Sequence, residues 1–361
     1  MVVSLLKLIG MENRKPVALL VNDIHAGSDN LSEFLLNWNE ALSVAKGYNV
    51  YNIYIGGDLW QSRASQSLDT LLCVKNALCK ASDLGYTVTI AEGNHCKVDQ
   101  KANEGYSHLF KDLDDIVIVD DFICDEYGDE DNPICLSLMG YYPENGSFMG
   151  HFSKLKDYLS ESYKDKKYTS ILYIHEGING ALAKSSEKEL PANIFKGFDK
   201  VLVGHYHNRV KIEPNIEYIG ASRQHNFGED EEKGYTILYD NGDTEFVKNK
   251  VNTRFATIQA TPSEISPDLM QKYNDSEYNY KVRVKIECTE DEAADLNRQQ
   301  ILKMGYSKVE VSAKVEVSET DNVEVTEKFD HNAIIDEYGK FCEKNDYEKK
   351  LGLKYLEVCG N

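Results

Sequence analysis

Eight residues able to hold a metal ion or move a proton stand just after apolar runs: Asp23, His25, Asp58, Asn94, His95, His175, His205 and His207. In extended backbone Asp23 and His25 point to one side, as do His205 and His207. Imidazoles so placed reach either one ion or two ions on the order of 3.5–4 Å apart. Singly, each residue has an ordinary reading. Asp23, Asp58 and Asn94 suit turns or caps, His175 a core, His95 a solvated loop, and the H-x-H pair the polar end of a strand. Together the ordinary readings fail. Turn chemistry has no reason to place acid, amide or imidazole at five successive strand ends of one sheet, whereas a binuclear metal site needs this mixture of hard oxygen and neutral imidazole.

The elements that position these residues are legible as a repeated layout. Apolar runs at residues 16–21, 49–55, 86–91, 170–174 and 201–204 read as strands, each ending at one of the polar groups. Between the first three lie two amphipathic helices, 31–46 with Phe34, Trp38 and Leu42 on one stripe, and a second from Leu68 to near Gly85. Residues 116–119 and 134–139 add apolar runs, separated by an acidic stretch, 125–133, that reads as a solvated loop. A polar helix is expected at 152–163, and antiparallel strands at 216–219, 235–239 and 245–251, the last two joined by an Asn241-Gly242 hairpin turn. Alternation of strand and helix over about 200 residues predicts an α/β sandwich with ligands outside the carboxyl ends of the strands.

Composition bounds the rest. With 361 residues, 42% hydrophobic and 28% charged, the chain holds a large core and one or two smaller units. There is no apolar run of about 18 residues, and the stretch 2–9 is short and interrupted by Lys7, so neither a signal peptide nor a membrane span is expected. Eight cysteines without C-x-x-C pairing fit reduced thiols in a cytoplasm. A net charge of −20 argues against binding nucleic acid by general attraction, so a DNA substrate would require local metals or a partner to supply positive charge.

A boundary is expected at 252–276, where Pro262 and Pro267 interrupt the pattern. Beyond it, a βαβ-like unit has a strand at 280–286, a helix opened by the capping box Thr289 to Glu292 and closed at Gly305, and strict alternation from Val309 to Val317. Two short helices follow in the tail. One carries Ile334, Tyr338, Phe341 and Cys342 on a stripe, the other Tyr347, Leu351, Tyr355 and Val358; such stripes pack on their own protein or dock onto a partner.

The order D-x-H (Asp23, His25), GD (Asp58), GNH (Asn94, His95), H (His175) and GHxH (His205, His207) resembles the calcineurin-like metallophosphoesterase superfamily. The resemblance implies a four-layer β-sandwich flanked by helices, with a small α+β capping domain and a helical tail. It implies two divalent ions, of which manganese suits the ligands best, with iron and zinc as alternatives. Asp23, His25 and His207 would hold one, Asn94, His175 and His205 the other, and Asp58 would bridge. His95 would face the substrate as a catalytic group rather than bind metal.

Residues 57–65 and 219–229 narrow the resemblance to SbcD-type recombination nucleases, which cut DNA and pair with an SbcC-type ABC ATPase. By that likeness, residues 1–252 form the nuclease domain, 277–318 the DNA-guiding cap and 322–361 the ATPase-binding segment, in a homodimer within a heterotetramer. The acidity and compact size look more like a phage version than a cellular one. Two positions depart from the pattern: Gln61 stands where a histidine is common, and Cys96 where an acid is usual, unless Asp99 substitutes for it. Arg63 and Arg223 are candidate phosphate contacts, with a solvated surface the competing reading. The rival to a nuclease is a phosphatase or phosphodiesterase acting on small molecules or phosphoproteins.

Overall fold

A computed structural model describes residues 14–182 and 188–313, together with Tyr338, residues 340–343 and Lys349. The chain divides into two units, 1–287 with 295–312, and 288–294 with 313–361. The tail stripes expected over 322–361 and the end of the alternation at Val315 and Val317 lie outside the described residues, apart from a helical stretch at 338 and 340–343.

The first unit holds two six-stranded sheets. In the first, β1 (Pro16–Val21), β2 (Asn52–Ile55), β3 (Thr87–Ala91) and β4 (Ile116–Val119) run parallel, and β11 (Gly234–Tyr239) and β12 (Thr244–Lys248) extend it antiparallel in the order β12-β11-β1-β2-β3-β4. The second is ordered β5-β6-β7-β8-β10-β9, with β5 (Phe122–Asp129), β6 (Asn132–Met139), β7 (Thr169–His175), β8 (Lys200–Gly204), β9 (Val210–Glu213) and β10 (Ile216–Tyr218).

Both faces of the central strands are apolar, and their alternation fixes the layers. In β1, Leu19 and Val21 pack toward helices α1 (Leu31–Gly47) and α2 (Leu68–Asp83), while Ala18 and Leu20 face the second sheet. In β8, Val201 and Val203 pack toward α3 (Phe148–Ser162), while Leu202 faces the first sheet. The result is four layers: helices, sheet, sheet, helix. The five polar strand ends therefore belong to two sheets rather than one: β1, β2 and β3 carry Asp23 to Asn94, and β7 and β8 carry His175 to His207. Since β1, β2 and β3 are parallel, as are β7 and β8, the carboxyl ends in each sheet share one edge. The Tyr173 hydroxyl of β7 joins the two edges, 3.1 Å from the Val21 carbonyl and 2.8 Å from Asn22 Oδ1.

Several local expectations change. The stretch read as a solvated loop contains most of β5, which pairs with β6 from Phe122↔Met139 to Asp129↔Asn132. As an edge strand it tolerates the Asp, Glu and Gly that strands otherwise disfavour. The interval 252–276, read as a boundary, contains β13 (Arg254–Ala260) and a short helix, α4 (Gln271–Asn274). β13 pairs in parallel with β14 (Tyr280–Cys288), and β15 (Lys308–Ala313) completes a third sheet in the order β13-β14-β15. The Thr289 capping box forms, Thr289 N donating to Glu292 Oε2 at 2.9 Å. The helix expected to run to Gly305 is split into α5 (Glu290–Asp295) and α6 (Arg298–Lys303), with Asn297 accepting from Gln300 N at the second start. Among the described residues, no helix is long and apolar enough to cross a membrane.

Candidate metal centre

The loops after β1 and β2 are tied by backbone bonds, Asp23 N to the Gly57 carbonyl at 3.1 Å and His25 N to the Asp58 carbonyl at 2.9 Å. Four of the polar residues pay for their placement with left-handed backbone: φ is 50° at Asp23, 50° at His25, 47° at Asp58 and 91° at His205. Side chains rarely adopt this region, at about 1–3 kcal/mol each, and such strain gathers where geometry serves function. The glycines of the motifs have a separate reason. A Cβ on Gly93 would lie 2.2 Å from Asp58 Oδ1, so the Asn94 loop approaches Asp58 only without one.

Asp23, His25, Asp58, Asn94, His175, His205 and His207 converge in one cluster. Asp23 Oδ1, on a side chain with no exposed surface, has no hydrogen-bond partner among the described residues. It faces Nε2 of His25 at 3.9 Å, of His175 at 3.8 Å and of His207 at 3.8 Å. His25 Nε2 and His207 Nε2 are 3.2 Å apart, and Asp58 Oδ2 lies 3.2 Å from His175 Nε2 and 3.8 Å from His25 Nε2. Asn94 Oδ1 lies 3.2 Å from His175 Nε2 and 3.1 Å from His205 Nδ1. Turned about, the Asn94 amide would donate to both imidazoles and accept from Arg63 Nη2 at 2.8 Å, the arrangement suited to a pocket without metal. With a cation in the pocket, Oδ1 is the atom required.

Outer partners fix the ring tautomers. A carbonyl only accepts, so His175 Nδ1, 3.1 Å from the Gly56 carbonyl, carries a hydrogen and turns Nε2, the nitrogen that a cation would take, toward the cluster. Glu229 Oε1, 2.8 Å from His207 Nδ1, does the same for His207. Burial outweighs the pull of Asp58 and Asp23 and lowers the His25 pKa to about 4, and burial likewise lowers His205 to about 4, so both are neutral and able to ligate. At His175 burial also opposes charge, but Asp58 and Asp23 prevail and lift its pKa to about 9. Without metal, the buried carboxylates draw a proton to their side. An orphaned carboxylate oxygen, converging lone pairs and this demand for positive charge fit divalent cations.

His95 stands beside the cluster, its ring edge-on to His25 at 5.1 Å. Its Nδ1 donates to the Gln61 carbonyl at 2.8 Å, leaving Nε2 as its other functional nitrogen. The backbone of residue 61 thus orients His95 whatever its side chain. Cys96 is buried with Sγ 3.9 Å from Asp58 Oδ1, and burial pushes its thiol pKa well up. Asp99 is exposed and accepts from Lys101 N, so it does not replace the missing acid. Arg63 donates through Nε to the Asn94 carbonyl at 2.9 Å, bracing that ligand's loop. Arg223 is 5% exposed and donates to the His25 carbonyl at 3.2 Å, which sets aside the solvated-surface reading for it.

Two contributors carry no sequence spacing that assigns them here. Glu229 falls in the stretch 219–229 that carries the SbcD likeness, but its pairing with His207 depends on the loop's fold. His225 donates through Nε2 to the Asp23 carbonyl at 2.8 Å and packs at 4.9 Å against both His25 and His207. Burial, reinforced by Arg223, keeps it neutral. With His25 and His207 it forms one close group of potential ligands, and Asp23, Asp58 and His175 form another.

Two sandwiched sheets gather oxygen and imidazole donors at their carboxyl ends, the arrangement that the sequence resemblance to calcineurin-like metallophosphoesterases implies. In sequence, the chain is similar to the SbcD component of the SbcCD nuclease of Staphylococcus saprophyticus, 26% identical over 136 residues that make up 34% of this chain and 35% of that protein. The match thus spans about a third of that curated relative. No protein-family model matches the chain. Among solved structures it is similar to a dimetal phosphatase from Danio rerio, 12% identical, covering 62% of this chain and 93% of that one, with a TM-score of 0.41. It is also similar to the Pseudomonas putida nuclease MPE, 14% identical, covering 64% and 87%, with a TM-score of 0.26.

Proposed function

We propose that the chain is a metal-dependent DNA exo/endonuclease, the nuclease subunit of an SbcCD-type complex. The observation that carries the metal chemistry is the buried Asp23 Oδ1, without a hydrogen-bond partner among the described residues, facing three imidazole nitrogens. The choice of DNA rests on the curated nuclease relative. Asp23, His25 and His207 would hold one ion and Asn94, His175 and His205 the other, with Asp58 available between them. Two bound divalent ions, manganese by ligand hardness with iron or zinc as alternatives, would neutralise a phosphodiester and acidify an attacking water. The chain's own groups do the rest. As the imidazolium, His95 directs its Nε2–H at the departing oxygen and protonates it, returning to the neutral ring that keeps its Nδ1 hydrogen on the Gln61 carbonyl; Arg63 holds the Asn94 loop, and Arg223 takes a substrate phosphate.

Residues 277–318 guide DNA, 322–361 bind an SbcC-type ABC ATPase, and the complex is a heterotetramer built on a homodimer of this chain. The cytoplasm suits its free thiols. The test is to purify the chain with manganese and compare cleavage of linear duplex DNA, alone and with the ATPase, with hydrolysis of phosphate monoesters. DNA cleavage is expected. Strong monoesterase activity without it would establish the small-molecule phosphatase instead.

A further inference from the structure

Resting on that nuclease reading, we infer that the cavity beside the metal centre is a subsite for the nucleotide next to the scissile phosphate, with that nucleotide's own, non-scissile phosphate on Arg223 and its base on Phe255. The cavity measures about 360 Å³, and His25, His95 and His207 share it with Arg223, Phe255 and Lys281. That is room for one small ligand, directly against the reacting groups.

Arg223 is the principal observation. Its guanidinium is buried, its Nε has no partner among the described residues, and its one described bond goes to a neutral carbonyl. Among the described residues it forms no ion pair, and a buried guanidinium so placed gains from an anion set directly against it. Glu33, Glu229 and Asp29 act on it through their charge, but none hydrogen-bonds to it: Glu33 accepts from Asn252 and Thr253, and Glu229 from His207, His225 N and Asn226. Asp29 also borders the cavity but is exposed.

Phe255 supplies the second half. Gln224, itself 3% exposed, grips its backbone on both sides, accepting from Phe255 N at 2.8 Å and donating to the Phe255 carbonyl at 2.9 Å. Phe227 braces the ring edge-on at 5.1 Å, and Lys281 Nζ lies 5.5 Å from its centre. A fixed aromatic ring beside an unpaired guanidinium offers a face for a base and a fork for a phosphate, and stacking of this kind tolerates any base. The occupant must be unstacked, so the subsite selects single-stranded or frayed DNA ends.

The experiment measures kcat/KM of the full-length, manganese-loaded chain on a single-stranded oligonucleotide and on bis(p-nitrophenyl) phosphate, which has no flanking nucleotide. Phe255→Ala should lower the oligonucleotide-to-ester ratio about tenfold, from the size of base stacking. Phe255→Trp should keep the ratio, and Arg223→Gln should lower it. Should Arg223→Gln fail to fold, Lys281→Ala, on the exposed side of the cavity, should lower the ratio in its place. A ratio unchanged in Phe255→Ala, while the wild type cuts DNA, overturns the subsite alone. A wild-type chain that leaves DNA intact both alone and with the ATPase overturns this inference and the nuclease reading together.

Discussion

His207 Nδ1 lies 2.8 Å from Glu229 Oε1, so a carboxylate from the loop after the second sheet orients an imidazole whose other nitrogen faces Asp23. Such a partner sets both the tautomer and the basicity of a ligating histidine. Glu229→Gln should weaken metal binding about 10–100-fold at the position served by His207 and leave the His175 position unaffected. Metal titration followed by calorimetry would show two binding steps, of which one shifts. Equal weakening of both would refute the pairing.

The His95 side chain meets the cluster through its ring edge and hydrogen-bonds to backbone, while its bond to Asp58 Oδ1 comes from the backbone N, which a substitution keeps, so the side chain should be separable from metal binding. His95→Asn should lower kcat by about 10²–10⁴-fold, the usual worth of a general acid, while the metal content stays at the wild-type value. Lost metal would mean that His95 is a ligand.

Gly93 is constrained by contact. Gly93→Ala would set a methyl group 2.2 Å from Asp58 Oδ1 and 2.3 Å from Asp58 N, atoms with little freedom to retreat. Overpacking of this sort costs about 1–3 kcal/mol, which a thermal melt would register as a lower Tm, and it should displace Asp58 enough to reduce metal uptake. A variant with wild-type Tm and metal content would show that the loop has room to give.

Legibility in the sequence differs by element. β1, β2, β3, β7 and β8 are short runs apolar on both faces, and the Asp, Asn and His residues at their ends stand out against that background. That these strands divide between two sheets is not legible, because pairing is decided by contacts between distant residues. β5 and β13 look like loop and boundary in sequence because one is an acidic edge strand and the other carries polar residues along both faces. His225 joins the site through the fold of its loop, and the left-handed backbone at Asp23, His25, Asp58 and His205 has no sequence signal beyond the tolerance of Asp and His for that region.

His108 provides a pH-dependent test away from the metal ligands. A hydrogen bond to Glu92, against partial burial and with help from Asp120, raises its pKa above 6.5. A raised histidine pKa stabilises the fold fully below 6.5 and loses that contribution as pH climbs through the folded value. His108→Gln should therefore cost more stability at about pH 6 than at about pH 9, as read by urea denaturation at the two values. A larger loss at the higher pH would reverse the assigned sign.

In the proposed binuclear centre, His205 and His207 serve different ions although a single residue separates them. Manganese per chain, measured by elemental analysis after dialysis, tests this most directly. It should be about two in the wild type and about one in His205→Ala and in His207→Ala, with the double variant near zero. A wild-type chain holding one ion, which either substitution alone removes, would contradict the binuclear centre.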